Sequence, residues 1–249
     1  MTRVSRYKSL SLPRRWIGDL AYFASKVPTV GGAVVIRVSD VAEARRQCQP
    51  LIGWNAILVK AIALTAMRQP ELRQTYMPWP WPHLYQHPSC VATIVVEREW
   101  RGAPGTFFGK IKQPELRSLR DIDSRLRDLK RKEVEEVFHF RRLLRLTRYP
   151  LFLRRLVWRL AFSFSGRLKM HQFGTFSVNS IGGRDVFVSQ SLALAALSWF
   201  YGPPMPDGTM HLQIFFDHRV IDGAAVKRIA NELAATLNSE IIAELRAGG

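Results

Sequence analysis

The chain has 249 residues, 47% of them hydrophobic, which is enough to bury the core of one large domain. Its 37 Lys and Arg against 20 Asp and Glu give a formal charge of +17, a field that draws polyanions: nucleic acid, anionic lipid headgroups, acidic carrier proteins or small-molecule phosphates. The only cysteines, Cys48 and Cys90, lie far apart and in no metal-ligand spacing, which argues against a disulfide scaffold or a zinc site. No apolar run approaches the ~20 residues of a membrane span, and the charged N-terminus lacks a secretory h-region, so a cytoplasmic, soluble or peripheral protein is expected.

In chain order, Pro13 opens a helical pattern running to about Ser25, and Pro28 with Gly31-Gly32 marks its exit. Ala33 to Val38 reads as a strand, and Ser39-Asp40 caps a helix starting near Val41. Trp54 to Met67 is apolar at Ile57, Leu58, Ala61, Ile62 and Leu64, a buried helical face that ends at Pro70. The run from Met77 to Pro82 alternates Pro and Trp and is too proline-rich for helix or central strand. Cys90 to Val96 reads as a strand, 98–109 as a loop and hairpin region, and Ile111 to about Phe138 as a helix with a solvated charged face.

Residues 138–171 change character. Arg141, Arg142, Arg145 and Arg148 precede Pro150, an apolar run from Leu151 to Phe162 follows, and no acidic residue occurs between Glu136 and Asp185. In the second run Arg154, Arg155 and Arg159 form a narrow basic stripe beside Trp158, the composition of an interfacial membrane helix. Each such cation near an anionic leaflet adds about 1 kcal/mol. The expectation is peripheral attachment to an anionic membrane through 139–162. Packing of the same face on the domain or a neighbouring subunit, or an acyl-chain or acidic-carrier dock, are the other readings. No nucleic acid is expected, because no helix-turn-helix, RNA-recognition or zinc motif is visible.

Beyond this segment, 173–183 reads as a strand and turn, 186–188 as a short strand and 191–200 as another. Pro206-Asp207-Gly208 is a tight turn. Leu212 to Phe216 is a buried strand that ends in charge: Asp217, His218 and Arg219, then Asp222 and Gly223. A helix from Ala224 to about Leu237 follows, and a last one from Ser239 to Leu245. A histidine set on a turn after a strand, flanked by carboxylates, suits proton transfer near neutral pH.

The string Asp217-His218-Arg219-Val220-Ile221-Asp222-Gly223 resembles the signature of the 2-oxoacid dehydrogenase acyltransferase catalytic domain. Asn55 to Ala61, Pro70-Glu71-Leu72 and Phe173 to Gly183 resemble further segments of that family, so the likeness covers most of the chain outside 97–110 and 138–171. It implies an α/β (α+β) fold, a chloramphenicol acetyltransferase-like two-layer sandwich with a mixed sheet flanked by helices. Residues 1–249 would form one such domain carrying the 138–171 insertion, with no lipoyl or subunit-binding domain. It further implies a homotrimer, or a multiple of trimers, with the active site between subunits. His218 would be the general base on an acyl-CoA or acyl-carrier thioester, with coenzyme A as substrate and no metal.

The family's oxyanion-binding serine falls on Asn179, with Ser180 one residue later. An Asn amide can donate to an oxyanion, and one such donor supplies roughly 2.7–4 kcal/mol. In an alternating strand Ser180 points to the other face. By the same resemblance Asp222 holds the turn by pairing with an arginine such as Arg14 or Arg15, while Asp217, Arg219 and Gly223 support the histidine. Two alternatives stand beside this reading: a chloramphenicol acetyltransferase-like antibiotic O-acetyltransferase, whose motif starts His-His where this one starts Asp217-His218, and a non-catalytic scaffold or lipid-surface protein keeping the fold.

Overall fold

A six-stranded mixed sheet organises the molecule, in a computed structural model that describes residues 9–183, 188–192 and 195–248. Strand β1 (Thr29–Arg37) follows helix α1 (Leu12–Ala24), and α2 (Ser39–Arg46) and α3 (Trp54–Arg68) come next. A two-stranded ribbon, β2 (Gln74–Met77) with β3 (His83–Gln86), frames the Pro/Trp run. Strands β4 (Val91–Trp100) and β5 (Ala103–Lys112) form a long hairpin, followed by α4 (Leu119–Arg131). Helices α5 (Phe138–Thr147), α6 (Leu151–Ser163) and α7 (Gly166–Phe173) lead to β6 (Phe176–Ser180), β7 (Leu197–Tyr201) and β8 (Thr209–Asp217). The chain closes with α8 (Gly223–Thr236) and α9 (Ile242–Arg246), joined by one π-helical turn.

The strand order is β1-β8-β7-β6-β4-β5, parallel at β4–β6 and β6–β7 and antiparallel elsewhere. Alternation sends Ala92, Ile94, Val178, Trp199, Ile214 and Phe216 into one core with α3, α4 and α8. Helix α3 is buried on most of its surface, as its continuous apolar run demands. On the opposite sheet face, over β5, a second core joins Trp16, Leu20 and Ala24 of α1 to Trp158 of α6 and Phe173 of α7.

Three expectations are corrected here. The loop expected at 98–109 is mostly strand: only Arg101 and Gly102, both at positive φ, turn the β4–β5 hairpin. The helix expected over 111–138 is shorter at both ends, because β5 continues to Lys112 and Pro114 opens a 3-10 turn. The α-helix begins only where the Ser118 hydroxyl caps it by accepting from the Asp121 amide. The basic stripe of α6 is also broken. Arg154 and Trp158 point inward at 7% and 3% exposure, while Arg155 stacks on Tyr22 and Arg159 faces solvent. Arg154 reaches the buried Asp19 of α1 at 2.7 Å and donates to the carbonyls of Thr147 and Tyr149. That pairing sets the phase of the helix and leaves Phe152, Leu153, Leu156 and Leu160 exposed instead. Of the strands expected after Gly183, residues 186–187 and 193–194 lie outside the described residues, and β7 begins at Leu197.

Candidate active site

β8 runs between β1 and β7 and delivers its last residue, Asp217, to a buried position at the sheet end. The Asp217 carboxylate accepts from Arg219 Nε at 2.8 Å, from a terminal guanidinium nitrogen at 2.7 Å and from the Arg219 amide at 3.1 Å. A bidentate, charge-assisted pair of this kind fixes geometry as well as energy. The Arg219 guanidinium in turn lies 4.1 Å from the ring centre of Tyr76. The amides of Val220 and Ile221 both donate to the Asp217 carbonyl, and Ile221 is buried, so the chain turns sharply and is anchored there.

His218 sits on this turn with its side chain exposed and its amide donating to the Pro28 carbonyl at 3.0 Å. Its ring lies 5.8 Å from that of Phe216, and among the described residues no group hydrogen-bonds the imidazole. A rigid backbone therefore presents an unengaged imidazole to incoming molecules. Asp222 is exposed and caps α8, its Oδ1 accepting from the Ala225 amide at 2.7 Å, with Gly223 as first helical residue.

Among the described residues Asp222 pairs with neither Arg14 nor Arg15. Helix α1 packs on β5, the sheet edge four strands from β8, and Arg15 donates to the Leu10 carbonyl instead.

Asn179 is 6% exposed on β6, its Nδ2 at 3.3 Å from both the Trp199 carbonyl and Ser177 Oγ, and its buried Oδ1 has no partner among the described residues. Ser180 is exposed on the opposite face beside Tyr201, whose phenol burial pushes up to about 12. The structure does not bring Asn179 to His218. Asn179 pairs with Phe200 and Phe200 with Gln213, so it lies two strands across and five residues back along β8. At about 3.3 Å per residue and 4.8 Å per strand, the separation is roughly 15–20 Å.

Sequence reasoning missed Lys169, for which the residue pattern carries no signal. The lysine projects from α7, 8% exposed, and its Nζ donates to the Tyr76 carbonyl at 3.1 Å. Burial lowers it to about 8, opposed by the nearby Asp217 charge. It thus joins Tyr76, Arg219 and Asp217 in the wall behind His218. In the Pro/Trp segment, Trp79 packs 4.9 Å from Phe164 at the end of α6.

No protein-family model matches the sequence, and no curated protein matches it. Solved structures do. The dihydrolipoamide acetyltransferase of Azotobacter vinelandii superposes with a TM-score of 0.67 at 17% identity, covering 96% of this chain and 93% of that one. A probable dihydrolipoamide acetyltransferase from Listeria monocytogenes gives 0.64 at 16% identity, covering 94% of each. A chloramphenicol acetyltransferase gives 0.51 at 11% identity over 88% of this chain and 94% of its own. The mixed sheet, its helical layers and the strand-turn-helix that carries His218 thus make up the chloramphenicol acetyltransferase-like fold seen in the catalytic cores of dihydrolipoamide acetyltransferases.

Proposed function

We propose that the protein is an acyltransferase that moves an acyl group from a thioester, with acyl-CoA as donor, to a thiol, hydroxyl or amine acceptor. The observation that carries this reading is the unengaged imidazole of His218 on a turn clamped by the Asp217–Arg219 pair, within an acetyltransferase fold. In the Azotobacter enzyme a serine, a histidine and an asparagine four residues beyond the histidine concern the catalytic mechanism. Here the corresponding spacing joins His218 to Asp222.

In this scheme His218 takes the acceptor's proton as the acceptor attacks the thioester carbonyl. The tetrahedral oxyanion accepts a hydrogen bond from Asn179 Nδ2, which gives up its bond to Ser177 Oγ to make it. Collapse breaks the carbon–sulfur bond, and the imidazolium returns its proton to the departing thiolate. Because Asn179 and His218 lie at opposite ends of one chain's sheet, the site is assigned to the junction of two copies in a trimer. The basic surface suits the phosphates of coenzyme A. Transfer from a panel of acyl-CoA thioesters should fall about 10²–10⁴-fold in His218→Ala, the usual contribution of a positioned base. Equal transfer by wild type and variant would sink the mechanism.

A second reading concerns location. No helix among the described residues is long and apolar enough to cross a membrane. The outer face of α6, however, exposes Phe152 at 71% and Leu156 at 52% beside Arg155 and Arg159, which supports peripheral binding to an anionic bilayer. Flotation with anionic vesicles should be lost in a Phe152→Asp, Arg159→Glu variant and kept in wild type. Failure of wild type to float removes this reading and leaves the acyl-transfer proposal intact.

A further inference from the structure

Helices α1, α5, α6 and α7 enclose, over the outer face of β5, a cavity of about 390 Å³. That volume falls within the ~300–1,000 Å³ of small-molecule sites. Its floor is apolar, formed by Trp16, Phe108, Leu146, Trp158 and Phe173. Trp16 and Trp158 are almost fully buried, and the buried Trp16 Nε1 donor has no partner among the described residues. Four cations, Lys110, Lys112, Arg142 and Arg145, line the same space, with His139 and His171. No salt bridge engages any of the four among the described residues, and helices α5, α6 and α7 contain no acid at all.

Charge of one sign gathered over an apolar floor is unfavourable in the empty molecule. Lys110 registers the cost: burial, with Arg142 and Lys112 nearby, lowers it to about 7. Proteins rarely hold cations so close without an anion among them. Exposed Phe138 and Tyr149 line the same cavity where it reaches solvent.

We propose that this cavity binds a free single-chain amphiphile: an alkyl chain on the Trp16–Trp158–Phe173 floor and an anionic head held by Lys110, Arg142 and Arg145. The site is separate from His218, and its assignment does not depend on the acyl-transfer reading. Lys110 donates to the His171 carbonyl but has no counter-ion among the described residues; head and tail are therefore both specified, because a bare phosphate leaves the floor empty and a neutral alcohol leaves the cations without a counter-ion.

Titration calorimetry on the full chain tests this with dodecanoate and dodecyl phosphate as probes. Dodecyltrimethylammonium and inorganic phosphate serve as controls, all below micelle formation. Saturable one-to-one binding of the two anionic amphiphiles, absent for both controls, is the expected result. Binding should weaken about tenfold or more in Arg142→Gln and Arg145→Gln, surface changes that remove one charge-assisted contact each. Leu146→Trp, which fills the cavity, should abolish it. Native mass spectrometry of each variant confirms folding and stoichiometry. Equal affinity for the cationic detergent, indifference to both arginine variants, or binding only to anionic vesicles would overturn the proposal.

Discussion

The Arg154–Asp19 pair is the most demanding test of how the helical segment is attached. Arg154 Nε lies 2.7 Å from Asp19 Oδ2, and the two side chains are 8% and 3% exposed. The guanidinium also holds the Thr147 and Tyr149 carbonyls at the α5–α6 junction. Changing Asp19 to Asn removes the anion while leaving the cation in place. Breaking a buried pair in this way costs about 3–5 kcal/mol, because the surviving charge stays desolvated. For a chain of this size each kcal/mol moves Tm by about 2–4 °C, so a fall of roughly 6–20 °C is expected if the whole domain melts together. Replacing both partners with apolar residues, Asp19→Leu with Arg154→Met, removes both buried charges and should recover most of the loss. Calorimetry gives Tm, and limited proteolysis between 148 and 165 shows whether α6 detaches first. A fall under about 2 °C for Asp19→Asn, or a double variant no better than the single, would refute the reasoning.

Other outcomes are equally concrete. Gly174 joins α7 to β6 at φ 78°, where a Cβ would meet Thr93 Oγ1 at 2.4 Å and the Val91 carbonyl at 2.6 Å, so Gly174→Ala should destabilise by about 2–3 kcal/mol in urea unfolding. Asp222→Ala should cost only about 1 kcal/mol, the worth of a helix cap, and a loss several times larger would point to an ion pair instead. Lys110 and Lys169 both have lowered pKa values, about 7 and about 8, so between these values and the ordinary lysine range the unfolded chain binds more protons than the folded one. The urea midpoint should therefore rise from about pH 7 to 9, before the raised thiol of Cys90 begins to oppose it, and Lys110→Met should flatten that rise. Lys112, Arg142, Arg145, His139 and His171 face Lys110 across the cavity, and His139 is already neutral because burial lowers it to about 4.

Local signals made much of this fold legible in the sequence. The apolar run of α3 needed no partner to be recognised as buried, and the strand-turn-helix around His218 carried its own cap and punctuation. The same signals failed where a distant residue decides the outcome. Apolar side chains cover most of α6, so its periodicity does not say which face is inside. Asp19, 135 positions earlier, makes that choice by capturing Arg154. Leu116 falls within the stretch expected to be helical, three residues before Leu119, yet is 76% exposed, because Pro114 and the Ser118 cap start the helix after it. β5 was obscured by Pro104, Gly105 and Gly109, which it tolerates on an edge strand. Lys169 was invisible for a related reason: its importance lies in Tyr76 and Asp217, brought near only by the tertiary fold.

The distance between Asn179 and His218 has a consequence for mixtures of defective chains. If each site borrows its base from one copy and its oxyanion donor from the next, His218→Ala and Asn179→Ala chains are each inactive alone. Co-expressed in equal amounts and assembled at random into closed trimers, they regain both groups at about a quarter of the sites. Two dead proteins would then make a live one, and the recovered fraction would count the junctions. If both residues serve within a single chain, or only one of them serves at all, co-expression recovers nothing.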